Sequence, residues 1–451
     1  MSRPANRLQG IVTAIVVVGI AAIGAVVWFI RGPSPLAFAG GSKVALADYQ
    51  DANPTGVPAA LAQADQVTRG EYLARAADCA ACHTAPGGKP LAGGFGFQLP
   101  FGTLYSTNIT SDKDTGIGNY TDAEFIAAVR QGIRRDGARL YPAMPYTSYS
   151  YLSDADVLAI KAYLFNRPAV HAPAPANSLS FPFDQRWAMI GWDMLFNRDT
   201  RFAPNTAQSP QWNRGAYLVE ALAHCGECHT PRNVAFALDG RNKFAGAVTA
   251  GWRAFNITSD QATGIGSWTD ADLVAYLAAG HATGHGTASG PMGEAVDNSF
   301  RYLVPDDINA VVAYLRSVPA IASPDQPATP APVAPASHRD GVMADARGKV
   351  VFEGACVSCH GWSGESLVSP LATLTGSAAV NDPSAVNVAQ IVISGTRRST
   401  PDGALSMPAF GNAYSDTEIA ALVNYVTGRF GRSASRITPQ EVAELRKQGS
   451  N

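Results

Sequence analysis

All six cysteines of this 451-residue chain belong to three Cys-x-x-Cys-His motifs, and no other feature constrains the fold so strongly. The motifs consist of Cys79, Cys82 and His83, of Cys225, Cys228 and His229, and of Cys356, Cys359 and His360. No cysteine remains for a disulfide bond or a free thiol. A structural zinc site needs four ligands that converge from two such elements, and a redox Cys-x-x-Cys pair does not need the histidine. Both alternatives therefore fit the motifs poorly.

Cys-x-x-Cys-His is the attachment signature of c-type haem. Cysteines at positions i and i+3 lie on one side of a helical turn, so two thiols can add to the two vinyl groups of one macrocycle. The adjacent histidine then faces the iron and ligates it. We predict three covalently bound haem c groups, with the six cysteines as attachment points and His83, His229 and His360 as proximal iron ligands.

Two methionines are candidates for the opposite axial position of the first and third haems. Met144 lies in a Tyr-Pro-Ala-Met-Pro segment and Met407 in a Ser-Met-Pro segment, each just ahead of a predicted closing helix. A thioether ligand favours ferrous iron, raises its potential and leaves no open coordination position. We predict that Met144 and Met407 are these distal ligands.

The distal ligand of the second haem has three candidates, Met292, His281 and His285. An internal repeat separates them. The segment Asn108–Asp112 (Asn-Ile-Thr-Ser-Asp) recurs 148 residues later, and Met292 follows Met144 by the same 148 residues. Because an iron ligand should occupy the same position in each copy of the repeat, we favour Met292 over the two histidines.

The repeat and the composition divide the chain into successive segments. Arg69–Leu73 recurs as Arg214–Leu218, and Arg347 with Gly348 marks a looser third copy. The predicted segments are a membrane anchor at 1–34, a linker at 35–62, haem domains at 63–172, 211–322 and 341–432, an aromatic connector at 173–210, a Pro- and Ala-rich linker at 323–340 and a tail at 433–451.

Helical patterns dominate within each haem domain, and strand-type alternation is sparse. Thr121 with Glu124 and Ser415 with Glu418 form capping-box patterns, and Ser153 is a further N-cap candidate. The predicted fold class is all-α, with an N-terminal transmembrane helix followed by three tandem haem-binding domains.

The N-terminal segment Leu8–Ile30 carries no charged side chain and is long enough to cross a hydrocarbon core of roughly 30 Å. Arg3 and Arg7 precede it, so the positive-inside rule favours a cytoplasmic N-terminus. A signal peptide cleaved after Ala37–Ala39 is the alternative, but signal h-regions usually span only about 7–15 residues. Either possibility exports the rest of the chain, and we favour the retained anchor.

The connector is too aromatic for a solvated tether. Its aromatic residues, with one just beyond it, are Phe181, Phe183, Trp187, Trp192, Phe196, Phe202 and Trp212. They either pack between the flanking haem domains or form a docking surface for a partner subunit. His224, next to the second motif, is expected to face solvent.

Other functional classes find no support in the sequence. The 34 Lys and Arg nearly balance the 36 Asp and Glu, giving a net charge of -2 without a polybasic run, so no nucleic-acid partner is expected. No G-x-G-x-x-G, P-loop, G-x-S-x-G or H-E-x-x-H motif occurs, so no catalytic residue is predicted. A multihaem peroxidase would need one iron without a sixth ligand. The three predicted methionine ligands would leave no iron in that state.

These residues resemble the triheme cytochrome c subunits of bacterial membrane-bound dehydrogenases. The similarity covers roughly residues 65–430 and is carried by Gly70–Leu73, Cys79–His83, Tyr105–Thr110, Leu140–Tyr146, Gly290–Met292 and Ser406–Phe410. The resemblance implies three tandem cytochrome c domains, a separate catalytic subunit that faces the periplasm, and electron delivery to ubiquinone or a terminal oxidase.

The same resemblance implies three possible classes of catalytic partner. Members serve quinoprotein alcohol dehydrogenases, flavoprotein sugar or gluconate dehydrogenases, or molybdenum-dependent aldehyde dehydrogenases. A cytochrome subunit that retains its N-terminal helix is similar to those of the aldehyde-oxidising type. In that type a molybdopterin subunit pairs with an iron–sulfur subunit. We therefore expect an electron-transfer subunit at the cell inner membrane with periplasmic haem domains. A molybdopterin aldehyde dehydrogenase is the first candidate partner, and the other two types are alternatives.

Overall fold

The computed structural model of the protein describes residues 5–49, 57–323, 346–400, 403–432 and 434–448. These residues are mostly helical, but four small antiparallel β-sheets accompany the helices, so the all-α prediction is only partly correct. The strands are two to five residues long. Runs this short show too little alternation of apolar and polar residues to be recognised from sequence.

Three helical units follow one another along the chain, each containing one Cys-x-x-Cys-His motif. Unit 1 contains the helices α2 (Gln66–Ala76), α3 (Cys79–His83), α4 (Asp122–Gln131), α5 (Tyr146–Tyr149) and α6 (Asp154–Phe165). The connector contains α7 (Met189–Phe196). Unit 2 contains α8 (Pro210–Tyr217), α9 (Gly226–His229), α10 (Asp270–Ala279), α11 (Gly290–Asn298) and α12 (Pro305–Ser317). Unit 3 contains α13 (Ala346–Ala355), α14 (Val357–His360), α15 (Ala378–Asn381), α16 (Val386–Ser394), α17 (Asp416–Phe430) and α18 (Pro439–Gln448).

Short hairpins connect these helices. In unit 1, β1 (Gly96–Leu99) pairs with β2 (Gly102–Tyr105), which also pairs with β3 (Ser178–Leu179) of the connector. The other three sheets each have two strands, namely β4 (Ala247–Thr249) with β5 (Trp252–Ala254), β6 (His281–Ala282) with β7 (Gly286–Thr287), and β8 (Thr396–Thr400) with β9 (Gly403–Met407).

Ahead of these units, α1 (Ala5–Arg31) is one long apolar helix. Its part Ile11–Arg31 has the length and composition of a helix that crosses a membrane.

Capping residues start several helices where the sequence predicts. Thr121 and Glu124 form a reciprocal capping box at the start of α4, and Ser415 and Glu418 form one at the start of α17. The Ser153 hydroxyl accepts a hydrogen bond from the Asp156 backbone N–H at 3.2 Å and begins α6. The predicted starts of these three helices are confirmed.

In each unit, the helix ahead of the cysteine motif crosses the closing helix at a glycine. The crossing pairs are α2 with α6, α8 with α12 and α13 with α17. An added Cβ would approach the facing carbonyl oxygen to 1.8 Å (Gly70 to Ala159), 1.9 Å (Gly215 to Ala310) and 2.1 Å (Gly348 to Ala421). Only a residue without a side chain permits this approach. Unit 3 therefore has the same crossing as the other two, although its sequence is the looser copy.

Two glycines of α13 provide a matched test of this crossing. We expect Gly348→Ala to destabilise unit 3 by about 3 kcal/mol, because the backbones must separate to admit the methyl group. Gly354 lies on the same helix, and a Cβ added there would have no atom within 4 Å. Gly354→Ala should therefore stabilise unit 3 by roughly 0.5–1 kcal/mol. Thermal unfolding of the two variants measures the difference. Equal stabilities would contradict the close crossing.

Units 1 and 2 share one hydrophobic core, whereas unit 3 has its own. The shared core includes the fully buried Leu73 of α2 and Tyr217 of α8, and it extends without a break from unit 1 into unit 2. The separate core of unit 3 is built around Phe352 and Ile419. Units 1 and 2 therefore pack as one body.

A reciprocal pair of buried polar contacts joins units 1 and 2. The Tyr217 hydroxyl of α8 donates to Asp156 of α6 at 2.7 Å, and the Tyr72 hydroxyl of α2 donates to Asp307 of α12. Each carboxylate also pairs with an arginine of its own unit, Arg69 for Asp156 and Arg214 for Asp307. Burial, and then the adjacent carboxylate, raise the pKa of both tyrosines, so the hydroxyls remain donors.

Two segments outside the predicted haem domains are also packed against them. The predicted linker 35–62 is not a free spacer, since Leu36 is buried and Phe38 packs edge-on against Trp212 of unit 2. The predicted tail 433–451 contains α18, whose Val442 and Leu445 are buried in the core of unit 3. The Pro- and Ala-rich linker 323–340 falls almost wholly outside the described residues.

Candidate haem sites

Short helices carry the three cysteine motifs. In unit 1 the whole motif lies within α3, so Cys79 and Cys82 are one helical turn apart and His83 follows directly. In units 2 and 3 the first cysteine is the residue immediately before α9 or α14. The second motif lies at the boundary with unit 1, because the Ser148 hydroxyl donates to Glu227 of that motif at 3.2 Å.

Each predicted proximal histidine is oriented by a backbone carbonyl. The ring nitrogen Nδ1 lies 2.7 Å from the Thr107 oxygen in His83, 2.6 Å from the Phe255 oxygen in His229 and 2.6 Å from the Ala372 oxygen in His360. A carbonyl can only accept, so Nδ1 donates in all three rings. The lone pair of Nε2 is then available for iron, the arrangement found around metal-ligating histidines.

Burial lowers the pKa of His83, of His229 and of His360. An imidazole must be neutral to bind iron, because the protonated ring has no free lone pair. Burial therefore favours the neutral ring, and the carbonyl contact selects the tautomer that is protonated on Nδ1.

The repeated Asn-Ile-Thr segment holds two of these carbonyls in place. Asn108 follows Thr107 directly, and its side-chain amide donates to the Thr115 hydroxyl at 3.0 Å and to the Val170 oxygen at 2.7 Å. Asn256, which follows Phe255, makes the same two contacts with Thr263 and Ile321 at the same distances. The sequence shows this repeat but not its role, which is to fix the carbonyl that orients the proximal histidine. The asparagine that recurs in both copies is the sequence feature that could have indicated this role.

The segments that carry Met144 and Met292 begin with the same local structure. Gly132 and Gly280 end α4 and α10 in the left-handed conformation, with φ of 64° and 74°. The Gly132 oxygen then accepts from the backbone N–H of Leu140 at 2.7 Å, and the Gly280 oxygen from that of Ala288 at 2.8 Å. Both contacts keep the 148-residue offset that separates the two methionines, which are half-buried.

The two competing histidines have other contacts. His281 places Nδ1 2.9 Å from the Thr287 hydroxyl within the β6–β7 hairpin. His285 stacks on Trp268 with ring centroids 3.8 Å apart, and its Nε2 lies 3.5 Å from Asp272. The contacts of His285 occupy both a ring face and Nε2, so this residue fits a ligand role least well.

The third methionine, Met407, is the last residue of β9 and is half-buried beside the unit 3 core. The same hairpin reaches unit 2. Arg398 of β8 is almost fully buried there and donates to the Gly293 oxygen at 2.5 Å, directly after Met292. The hairpin that carries the distal candidate of unit 3 thus also supports the distal segment of unit 2.

The expectation that His224 faces solvent is wrong. Its ring packs edge-on against Tyr149 of unit 1 at 5.5 Å, and burial lowers its pKa. The physical reason is the shared core, which places the residue before the second motif against the neighbouring unit. Asp78 holds the equivalent position before the first motif, and both residues have positive φ, 48° and 36° respectively.

The aromatic connector has two faces. Phe202 and Trp212 are buried in the shared core, and Trp192 packs edge-on against Tyr146. Phe181 and Trp187 are exposed. Packing between units, one of the two expectations, therefore accounts for only part of the aromatic surface.

Within the described ranges, no three His, Cys, Asp or Glu side chains converge as a bare metal site requires. The donor set of each unit instead fits haem c, since two cysteines are available for thioether bonds and one histidine for axial ligation. A half-buried methionine is available for the opposite axial position.

Comparison with known proteins identifies the family. Residues 67–167 and 346–429 match the family described as cytochrome c. The chain is 40% identical over 419 residues to the fructose dehydrogenase cytochrome subunit of Gluconobacter japonicus, covering 88% of this chain and 86% of that protein. The chain belongs to the cytochrome c subunits of dehydrogenases. The resemblance to dehydrogenase cytochrome c subunits is confirmed, and the number of three haems stays a prediction.

Other relatives of this cytochrome subunit are named for different dehydrogenases. It is 38% identical over 407 residues to the gluconate 2-dehydrogenase cytochrome c subunit of Pantoea cypripedii, covering 84% of this chain and 89% of that protein. It is 40% identical over 371 residues to a nicotinate dehydrogenase subunit of Pseudomonas putida, covering 81% of this chain but 30% of that longer protein. Membership implies covalently bound haem c and a role in electron transfer, and it leaves the catalytic partner open.

Proposed function

We propose that the protein carries three haem c groups and passes electrons from a catalytic dehydrogenase subunit to the respiratory chain. The observation that carries this proposal is the threefold contact between a motif histidine and a backbone carbonyl. Each of His83, His229 and His360 has Nδ1 within 2.7 Å of a carbonyl oxygen, leaving Nε2 for iron. One such contact could be incidental, but the same contact in three units indicates a common ligand.

The residues assigned to each haem follow from these units. Cys79 and Cys82, Cys225 and Cys228, and Cys356 and Cys359 would hold the three macrocycles by thioether bonds, and Met144, Met292 and Met407 would complete the axial pairs. Haem supplies a one-electron couple between ferric and ferrous iron. The chain would supply neutral imidazoles and a thioether on the opposite side. Axial saturation suits electron transfer because no position remains for peroxide or oxygen.

The electrons of this relay would enter from a separate subunit. We propose a molybdopterin aldehyde dehydrogenase with an iron–sulfur subunit as the first candidate, on the basis of the exposed apolar helix α1. A quinoprotein alcohol dehydrogenase or a flavoprotein sugar or gluconate dehydrogenase is the second candidate, and relatives named for alcohol, fructose and gluconate dehydrogenases support it. Ubiquinone or a terminal oxidase would accept the electrons.

Purification of the tagged protein from detergent-solubilised membranes tests this function. The expected result is co-purification with a dehydrogenase subunit whose substrate reduces the haems in the α-band of the visible spectrum. Aldehyde, alcohol and sugar substrates added in turn distinguish the candidate partners. A protein that purifies alone, and whose haems no such substrate reduces in native membranes, would contradict the proposal.

We further propose that α1 is a retained anchor that places the haem units on the periplasmic side of the inner membrane. Replacement of residues 1–31 by a cleavable export signal should then release haem-loaded protein into the periplasmic fraction or weaken its membrane retention strongly. Fractionation followed by haem staining measures this. A mature wild-type chain that begins near Gly40 by N-terminal sequencing would contradict the retained anchor.

A further inference from the structure

The connector and a loop of unit 2 expose a set of large apolar residues, here called the outer apolar surface. It consists of Phe181, Phe183, Trp187, Ile190, Met194, Val234 and Phe236. Trp187 is 71% exposed, Met194 77% and Val234 88%. Phe183 and Phe236 are linked through Phe101, which stacks on the first at 4.0 Å and meets the second edge-on at 5.5 Å. Contiguous exposure of this kind marks an interaction site.

The helix α7 within this surface has its polarity reversed relative to a water-exposed helix. Its one charged residue, Asp193, is buried and accepts hydrogen bonds from Tyr146 at 2.7 Å and from Arg139 at 3.3 Å. Its apolar Ile190 and Met194 face outward. A surface helix in water normally shows the opposite arrangement. The outward face of α7 is therefore suited to an apolar environment.

This surface lies where α1 ends. The Asn233 side chain, next to Val234, donates to the Ile30 oxygen of α1 at 3.1 Å, and Arg198, just after α7, donates to the Gly32 oxygen at 3.1 Å. The Arg241 guanidinium lies over the Phe29 ring of α1, 4.1 Å from its centroid. These contacts fix the end of the helix to the connector and to unit 2.

We propose that the outer apolar surface docks in the headgroup and upper acyl region of the same membrane that α1 crosses. This inference rests on the proposed retention of α1 as an anchor. Because the helix end is fixed beside the surface, anchoring α1 brings the surface to the bilayer interface without a flexible spacer. Tryptophan and amphipathic aromatic residues are favoured at that depth. The nearby Arg31, Arg198 and Arg241 supply positive charge for anionic headgroups.

Photo-crosslinking of the full-length, haem-loaded chain tests this docking. The chain is embedded in nanodiscs of phosphatidylcholine and phosphatidylglycerol that contain a diazirine-bearing phosphatidylcholine, and adducts are mapped by mass spectrometry. Peptides covering 181–196 and 233–236 should carry several-fold more adduct than the peptide with the exposed residues Trp362, Leu367 and Val368 of unit 3. The unit 3 residues are a matched control because they are equally apolar and exposed but lie far along the chain from α1.

A double variant, Trp187→Gln with Met194→Gln, adds a second readout. It should lower the adducts on 181–196 several-fold while haem content and adducts on α1 stay unchanged, and Trp362→Gln should change none of these. Adducts confined to α1 would overturn the docking and leave the anchor intact, whereas their absence from α1 as well would remove the anchor itself. Adducts on the surface that disappear when the catalytic subunit is bound would assign the surface to that subunit and overturn the proposal.

Discussion

Cys225→Ala combined with Cys228→Ala is expected to reduce the covalent haem from three to two per chain and to destabilise units 1 and 2 together. The double substitution would remove both proposed thioether bonds of the middle haem. In the proposed arrangement the middle haem would also fill part of the interior of its unit, so its loss would leave the apolar residues around it without a large contact. Because units 1 and 2 share one core and the reciprocal contacts of Tyr72 and Tyr217, the effect should spread into unit 1.

The matched control is Cys356→Ala with Cys359→Ala in unit 3. It should also remove one haem, but unit 3 has its own core, so units 1 and 2 should keep their folded structure. The haem-to-protein ratio after acid–acetone extraction gives the covalent count, and limited proteolysis with peptide mapping shows which units open. An unchanged haem ratio in either variant would refute the assignment of these cysteines. Confinement of the damage to unit 2 would refute the shared core.

The parts of this architecture that sequence analysis identified are those encoded by neighbouring residues. Five consecutive residues of a Cys-x-x-Cys-His motif are enough to indicate haem attachment. Four residues of a capping box, such as Thr121 to Glu124, are enough to indicate the start of a helix. The 148-residue offset extended this local information, because two copies of one scaffold could be compared. The strands escaped detection because they are too short to show a period.

The parts that sequence analysis missed depend on contacts between distant residues. Nothing local to Tyr72 indicates that its hydroxyl bonds Asp307, 235 residues away. The shared core could not be inferred for the same reason. The burial of His224 follows from that core, so it could not be predicted either. The contacts of Pro35 with unit 2 and of Gly40 with the connector could not be predicted either, since a Pro- and Gly-containing segment indicates a spacer unless its partner surface is known.

Met292→Leu tests the least certain of the axial ligands. We expect this substitution to remove the thioether from the second haem, to lower that haem's potential and to open a coordination position, while attachment through Cys225, Cys228 and His229 persists. The leucine side chain has a similar volume, so the fold should tolerate the change at less than about 1.5 kcal/mol. Met189→Leu, a change of the same kind in the connector, is the control and should alter no haem property.

Carbon monoxide binding and a redox titration measure the outcome. If Met144 and Met407 keep the first and third haems six-coordinate, only about one third of the ferrous haem in Met292→Leu should bind carbon monoxide readily. His281→Ala and His285→Ala should leave the gas reactivity unchanged, since these rings contact Thr287, Trp268 and Asp272. If a histidine variant changes the potential and Met292→Leu does not, the second haem is bis-histidine. Its potential would then lie below those of its neighbours, and the middle haem would slow the relay instead of continuing it.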